Sequence, residues 1–156
     1  MQLLKKPFSG HPDYQCFGCS PANPIGLNLQ FYEDGDYVKT NWNPREEFQG
    51  FINVVHGGIQ ATIMDEIAAW CVNIKVKTAG VTKSFSMQYL KPAFVNKGNL
   101  LFQAKLLRME KNIAIIKTEL YNKEGELCSE GEFHYFTYPE TIAKRKLMYP
   151  GIEAFY

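Results

Sequence analysis

The sequence predicts an α+β fold in which an antiparallel β-sheet wraps around one long central helix. Three observations carry that expectation. Only one stretch, 57–76, sustains a helical apolar period over several turns. Two strand-like segments precede it and three or four follow. The later segments are separated by turns too short for parallel crossovers, so they pair antiparallel. A single helix cannot cover two faces of such a sheet, but a strongly twisted sheet can enclose it.

Taken in order, residues 1–26 are rich in Pro, Gly and Cys and read as an irregular lead-in with room for a short helix. Leu27 to Phe31 alternates apolar and polar side chains, as a half-buried strand does. Glu33-Asp34-Gly35-Asp36 then supplies a hairpin turn, and Tyr37 to Trp42 the returning strand. Asn43-Pro44 ends it, and 45–55 is a connecting loop or a single helical turn.

In the helix, Ile59, Ile63, Ile67, Trp70 and Ile74 form one apolar stripe. Gly58, Ala61, Thr62, Asp65, Ala69 and Val72 fall together on a neighbouring face at 100° per residue. That face is mostly small, which lets another backbone come close. Glu66 lies within the Ile stripe, an unusual place for a charge. Strands are expected over 81–91, 99–110, 113–122 and 127–138, with turns at Lys97-Gly98-Asn99, Glu110-Lys111-Asn112 and Asn122 to Gly125. The tail, 139–156, contains Pro139, Pro150 and Gly151 and is expected to pack over the domain or a neighbouring subunit.

At 156 residues the chain is expected to form one domain, 1–156, with a substantial core. Hydrophobic residues make up 46% and charged residues 21%, the balance of a globular protein. Net charge is +1 with Lys and Arg scattered, so neither nucleic acid nor an anionic membrane is an expected partner. No apolar run approaches the roughly 20 residues needed to span a bilayer. The first residues, MQLLKKPFSGHPDYQ, lack the apolar core of a secretory signal, and a cytoplasmic location follows by default. Cys16-Phe17-Gly18-Cys19 has the CxxC spacing, but no second CxxC or paired His follows; it reads as a turn, with no metal expected. Cys71 and Cys128 read as small core hydrophobes.

The chemistry concentrates at His56-Gly57-Gly58 and the acidic pair Asp65-Glu66. Glycines at a helix start leave backbone N–H groups uncovered, and such groups favour an oxygen that gains negative charge during acyl transfer. Each residue also has a plainer use: His56 as a helix cap, the glycines for tight packing, Asp65 in an ion pair.

The run His56-Gly57-Gly58, Ala61-Thr62 and Asp65-Glu66 resembles the helix of hotdog-fold acyl-CoA thioesterases of the phenylacetate-degradation type. Gly80-Val81-Thr82 through Ala93 is similar to the strand that follows in that family, and Cys16 to Cys19 with Asn23 to Leu27 is similar to a lead-in of some members. The resemblance implies a hotdog fold, a homodimer or dimer of dimers, and hydrolysis of an acyl-CoA to a carboxylic acid and free CoA. No cofactor is implied beyond the coenzyme A of the substrate. It casts the Gly57 N–H, oriented by His56, as the group that polarises the thioester carbonyl. Asp65 becomes general base or nucleophile, and Thr82 the hydroxyl that places the water. Gly58, Asn53 and Glu66 would border the substrate; Gly50 stands where some relatives have an Asn.

Helix geometry adds an independent constraint. At ~1.5 Å rise per residue, Asp65 lies roughly 13 Å along the axis from His56. Both must reach within about 3 Å of one carbonyl or its attacking water. One chain cannot do this, whereas two antiparallel helices side by side can, giving two composite sites per dimer. Two rivals stay open: a hydratase or dehydratase with His56 as base, and a non-catalytic acyl-CoA-binding module.

Overall fold

The computed structural model describes residues 1–156. Seven strands form one antiparallel sheet: β1 (Gln2–Leu3), β2 (Tyr32–Asp34), β3 (Tyr37–Trp42), β4 (Gly80–Tyr89), β5 (Leu100–Glu110), β6 (Ile113–Tyr121) and β7 (Leu127–Thr137). Their spatial order is β1-β2-β3-β5-β6-β7-β4. The strand that follows the helix in sequence therefore crosses to the far edge and pairs with β7 alone. The concave face holds α1 (Gly57–Cys71), which continues as a π turn over Val72–Val76 and stops at Lys77 in the left-handed conformation.

Most of the apolar stripe does what its spacing predicts: Ile63, Ile67, Trp70 and Ile74 are buried, joined by Met64, Ala68 and Cys71, while Ile59 at the helix start is only partly covered. Ala61, Thr62, Asp65 and Ala69 on the small face are only partly covered. Val72, projected onto that face, is buried instead, because the π turn begins there and rotates the chain.

The segment 27–31 is not a strand. The N–H groups of Leu27 and Leu29 donate to the carbonyls of Phe17 and Gly18, at 2.8 and 2.9 Å, instead of joining a ladder. Asn28 takes a φ of 48°, which a strand does not allow. The alternation still reports burial correctly, since Leu27, Leu29 and Phe31 all lie in the core. The hairpin strand is the shorter β2 that follows. The lead-in contributes β1 and a 3₁₀ turn at Pro7–Gly10.

The tail forms α2 (Glu140–Lys146) and a 3₁₀ turn at Ile152–Phe155. It packs on its own chain. Phe155 is fully buried, edge-on to Trp70 at 5.4 Å, and the Tyr149 hydroxyl donates to the Asn73 carbonyl at 3.1 Å. Trp70 in turn stacks on Phe31 at 4.3 Å, so lead-in, helix and tail share one core.

Candidate active site

The start of α1 is held by side chains on several elements. His56 is the N-cap: its Nδ1 accepts the Gly58 N–H at 2.9 Å, and its carbonyl accepts those of Ile59 and Gln60. Of the orphan donors that a helix start presents, the Gly57 N–H alone is left without an acceptor. The Gln60 amide donates to the Val55 carbonyl at 3.2 Å and accepts from Ser129 on β7 at 3.0 Å. Tyr89 closes the other side, its hydroxyl donating to the Gly57 carbonyl at 2.7 Å. A Cβ at Gly57 would already touch the Tyr89 ring at 3.4 Å.

Two surface cavities meet at this point. One of about 480 Å³ is lined by Gln49, Gly50, Phe51, Val54, Val55, His56 and Gly57. The other, about 310 Å³, runs from Gly57 past Tyr89 to Pro92. Asp65 lines neither. A larger depression of about 510 Å³, between Asn41, Gln103 and Tyr121, shares no residue with α1.

The second cluster surrounds Asp65. Its Oδ1 accepts from Thr82 Oγ1 at 2.8 Å, and the Tyr135 hydroxyl on β7 divides its one proton between that Oδ1 at 2.5 Å and the Asp65 backbone carbonyl at 2.6 Å. No hydrogen bond from the chain reaches Oδ2, so one oxygen is fixed and the other is free for a water. Burial, and then the Asp65 charge, raise the Tyr135 pKa far above that of an ordinary phenol, so Tyr135 stays a donor. A β-bulge lies between Thr82 and Ser84. It shifts the side-chain alternation by one, so Thr82, Phe85, Met87 and Tyr89 all oppose core-facing positions of β7. Phe85 stacks on Phe133 at 4.7 Å yet stays half exposed.

The predicted residues thus separate. His56, Gly57 and Gly58 share the helix start, and Asp65 and Thr82 meet further along. Gly58 cannot offer its N–H to a ligand while His56 holds it. Asn53 sits on the exposed loop before the helix in a left-handed conformation, its carbonyl bonded to the Val95 N–H at 2.8 Å. Glu66 turns away from Asp65 to the lead-in, with Cys16 Sγ 3.4 and 3.5 Å from its two oxygens. Burial, then the Cys16 charge, push its carboxyl up to about 7. Glu66 therefore does not border the same cavity as Gly57. Tyr135 is not among the expected site residues, and the alternation of β4 suggests Tyr89, with Phe85 and Met87, only as a lining of an acyl pocket or of the core face. The only signal for Tyr135 is its register opposite Thr82, which no local pattern reveals.

The model of the family described as the thioesterase superfamily matches residues 52–129, half of the chain. A Thermoplasma acidophilum protein provisionally named an esterase is 28% identical over 91 residues, 55% of this chain and 64% of that protein. The chain thus spans less than two thirds of the length of that relative. Among solved structures, a hypothetical thioesterase of Streptococcus pneumoniae with coenzyme A superposes with a TM-score of 0.66 at 20% identity, over 72% of this chain and 88% of that one. The PaaI protein of E. coli, from the phenylacetic acid degradation operon, gives 0.65 at 16% identity, over 73% and 82%. These two likenesses carry the fold, which is the hotdog fold.

Proposed function

The chain belongs to the thioesterase superfamily, and from that premise we propose that it hydrolyses an acyl-CoA thioester at a site completed by a second copy of the chain. One observation carries the reading: Asp65 has one carboxylate oxygen pinned by Thr82 and Tyr135 and the other free, on a partly exposed face of small residues. A carboxylate so held suits a general base on water, since its geometry is set before the substrate arrives.

In the proposed dimer two α1 helices lie antiparallel through their small faces. The Gly57 N–H of one protomer then approaches Asp65 of its partner. The thioester carbonyl rests on that N–H, at the end of the helix where partial positive charge gathers. Asp65 takes a proton from water as the water oxygen bonds to the carbonyl carbon. The tetrahedral oxyanion collapses, the C–S bond breaks, and the CoA thiolate leaves and takes up a proton. The products are a carboxylic acid and CoA. The step is downhill, and coenzyme A enters only as part of the substrate. The cavities beside Gly57 and the exposed ring of Phe85 offer apolar surface for the acyl chain. The thioesterase relative with coenzyme A supports the choice of substrate class.

His56 fits a cap better than a base. Its Nδ1 is occupied as an acceptor, so the neutral ring carries its proton on Nε2. This disfavours the hydratase reading. Thiol release from a panel of short, long and aryl acyl-CoAs tests the proposal. Release by the native chain, lost at least about a hundredfold in Asp65→Asn, is expected. An undiminished rate in Asp65→Asn, or hydroxyacyl product with the thioester intact, would overturn it.

A further inference from the structure

A second cluster of reactive side chains lies on a different side of α1, where the lead-in crosses the helix. Sulfur atoms of Cys16 and Cys19 and a carboxylate oxygen of Glu66 all lie within 4.8 Å of one another. From this juxtaposition we propose that Cys16, Cys19 and Glu66 bind one zinc ion, which fastens the lead-in to the turn of α1 that carries Asp65. The inference stands independently of the hydrolase reading.

The edge between Cys16 and Glu66 suits a tetrahedral ion. Zinc–sulfur bonds of about 2.3 Å and zinc–oxygen bonds of about 2.1 Å give a sulfur–oxygen edge of about 3.6 Å. Cys16 Sγ lies 3.4 and 3.5 Å from the Glu66 oxygens. Two thiolates with one carboxylate select a borderline-soft divalent ion over calcium or magnesium, which seek oxygen alone. Three protein ligands leave the fourth corner open to a water, and the Tyr14 hydroxyl hydrogen-bonds to Cys19 Sγ at 3.2 Å.

The loop is built rigidly around these groups. Ser20 N–H donates to the Cys16 carbonyl at 3.1 Å, and the Phe17 and Gly18 carbonyls are tied to Leu27 and Leu29. Asn23 donates to the Gln15 carbonyl, and Ser20 Oγ to that of Tyr14. Gly18 is required by the fit, because a Cβ there would stand 2.6 Å from the Glu66 carboxyl carbon.

Binding would displace protons from the two thiols and the carboxyl, and a divalent ion would leave the site with one negative charge. The ammonium of Lys6 is held at 3.0 Å by the Asn28 side chain; burial lowers its pKa, and the charges of Cys19, Glu66 and Cys16 act against that shift.

The test is metal binding by the full chain, prepared under reducing conditions, stripped with a chelator and titrated with zinc or cobalt(II). One ion per chain is expected, with thiolate-to-cobalt charge-transfer bands and the visible absorption of a tetrahedral site. Cys19→Ser should abolish the bands, and Glu66→Gln should weaken binding about tenfold or more. Gly18→Ala, which keeps both thiols, should weaken it too, whereas Cys128→Ser should leave it intact. Zinc uptake no greater than that of Cys19→Ser, or uptake indifferent to Glu66→Gln and Gly18→Ala, overturns the proposal. A Cys16–Cys19 disulfide in the reduced preparation overturns it as well. If a variant fails to fold, the cobalt spectrum of the native chain decides alone: without thiolate bands there is no such site.

Discussion

The proposed composite site makes a prediction that a single-chain site cannot share. Two variants, each inactive, should restore activity when combined in one dimer. The first is Asp65→Asn, which removes the base. The second is Gly57→Pro, which removes one atom of interest, the amide hydrogen. Gly57 is the first residue of α1, where proline is tolerated. The preceding His56 has φ −55° and ψ 132°, the extended conformation that a residue before proline adopts. The helix should therefore form as before. Because Gly58, Ile59 and Gln60 already spend their N–H groups on His56, no neighbouring donor can substitute. Loss of a lone oxyanion donor costs about 3–4 kcal/mol of transition-state stabilisation, or roughly 10²–10³ in kcat. Loss of the base costs at least about as much. In a heterodimer of the two variants, one site unites an intact Gly57 with an intact Asp65, and the other unites the two lesions. Random exchange in an equal mixture makes about half the dimers mixed, each with one working site of two, so about a quarter of native activity should return. The assay is CoA thiol release by singly tagged variants before and after subunit exchange, with tandem-tag purification to count mixed dimers. Mixed dimers that stay as inactive as their parents would refute the shared site.

Two stability predictions follow from the core and its edge. Phe155→Ala should lower unfolding free energy by about 3–5 kcal/mol in denaturant melts, because the ring is fully buried against Trp70 and Tyr149 and its removal leaves a cavity at the end of α1. A change under about 1 kcal/mol would mean that the tail does not close the core. The second concerns Glu33, which pairs with Lys75 and accepts from the Tyr156 hydroxyl at 2.7 Å. Burial alone would raise this carboxyl, but the Lys75 and Tyr156 hydrogen bonds outweigh it and hold the pKa below 4.5. A depressed pKa contributes stability above the unfolded value that is lost as pH falls through the folded one. Glu33→Gln should therefore cost about 1 kcal/mol near neutrality, and the difference from the native chain should shrink below about pH 4. A difference that is flat across that range would refute the pairing.

What the sequence disclosed follows from the range of each interaction. The stripe from Ile59 to Ile74 is legible because a helix brings residues three and four apart together, so its pattern is local. The antiparallel pairing of β5, β6 and β7 is legible for the same reason, through short turns. Strand order is not local: nothing between Gly80 and Tyr89 says that this strand crosses to the far edge. The bulge after Thr82 was equally hidden, and it puts Thr82 and Phe85 on one face although they are three residues apart. The segment from Leu27 to Phe31 shows the limit of alternation, which reports which side chains are buried but not where the backbone hydrogen bonds go. Glu66 shows the converse. Its oddity within an apolar stripe was visible, but its partner Cys16 lies 50 residues away in sequence. The CxxC lacked further ligands only as long as one searched along the chain for them.

The edge of the sheet and the chemistry of the helix meet in the proposed dimer. β4 is a ten-residue edge strand whose whole length from Val81 to Ser86 is exposed, with Phe85 and Tyr89 each 51% accessible. Such an edge invites pairing with another chain, although the bulge between Thr82 and Ser84 and the exposed Lys83 blunt part of it. Beside it runs the partly covered small face of α1, with Asp65 in its middle. A twofold axis between two copies would set β4 beside β4 and α1 antiparallel to α1 in the same operation. That symmetry covers the edge, and because the helices run in opposite directions it also brings each Gly57 toward the other chain's Asp65. Shifting the register of the two helices by one turn would move these groups apart by about 5 Å. Edge pairing, which fixes register, therefore bears on catalysis as well as on assembly. Ser84→Lys or Ser86→Lys, which sets like charges where two β4 edges would meet while leaving the β4–β7 ladder, Asp65, Thr82 and Gly57 in place, should reduce activity in step with loss of the dimer. Full activity in such a monomer would break the link between assembly and chemistry.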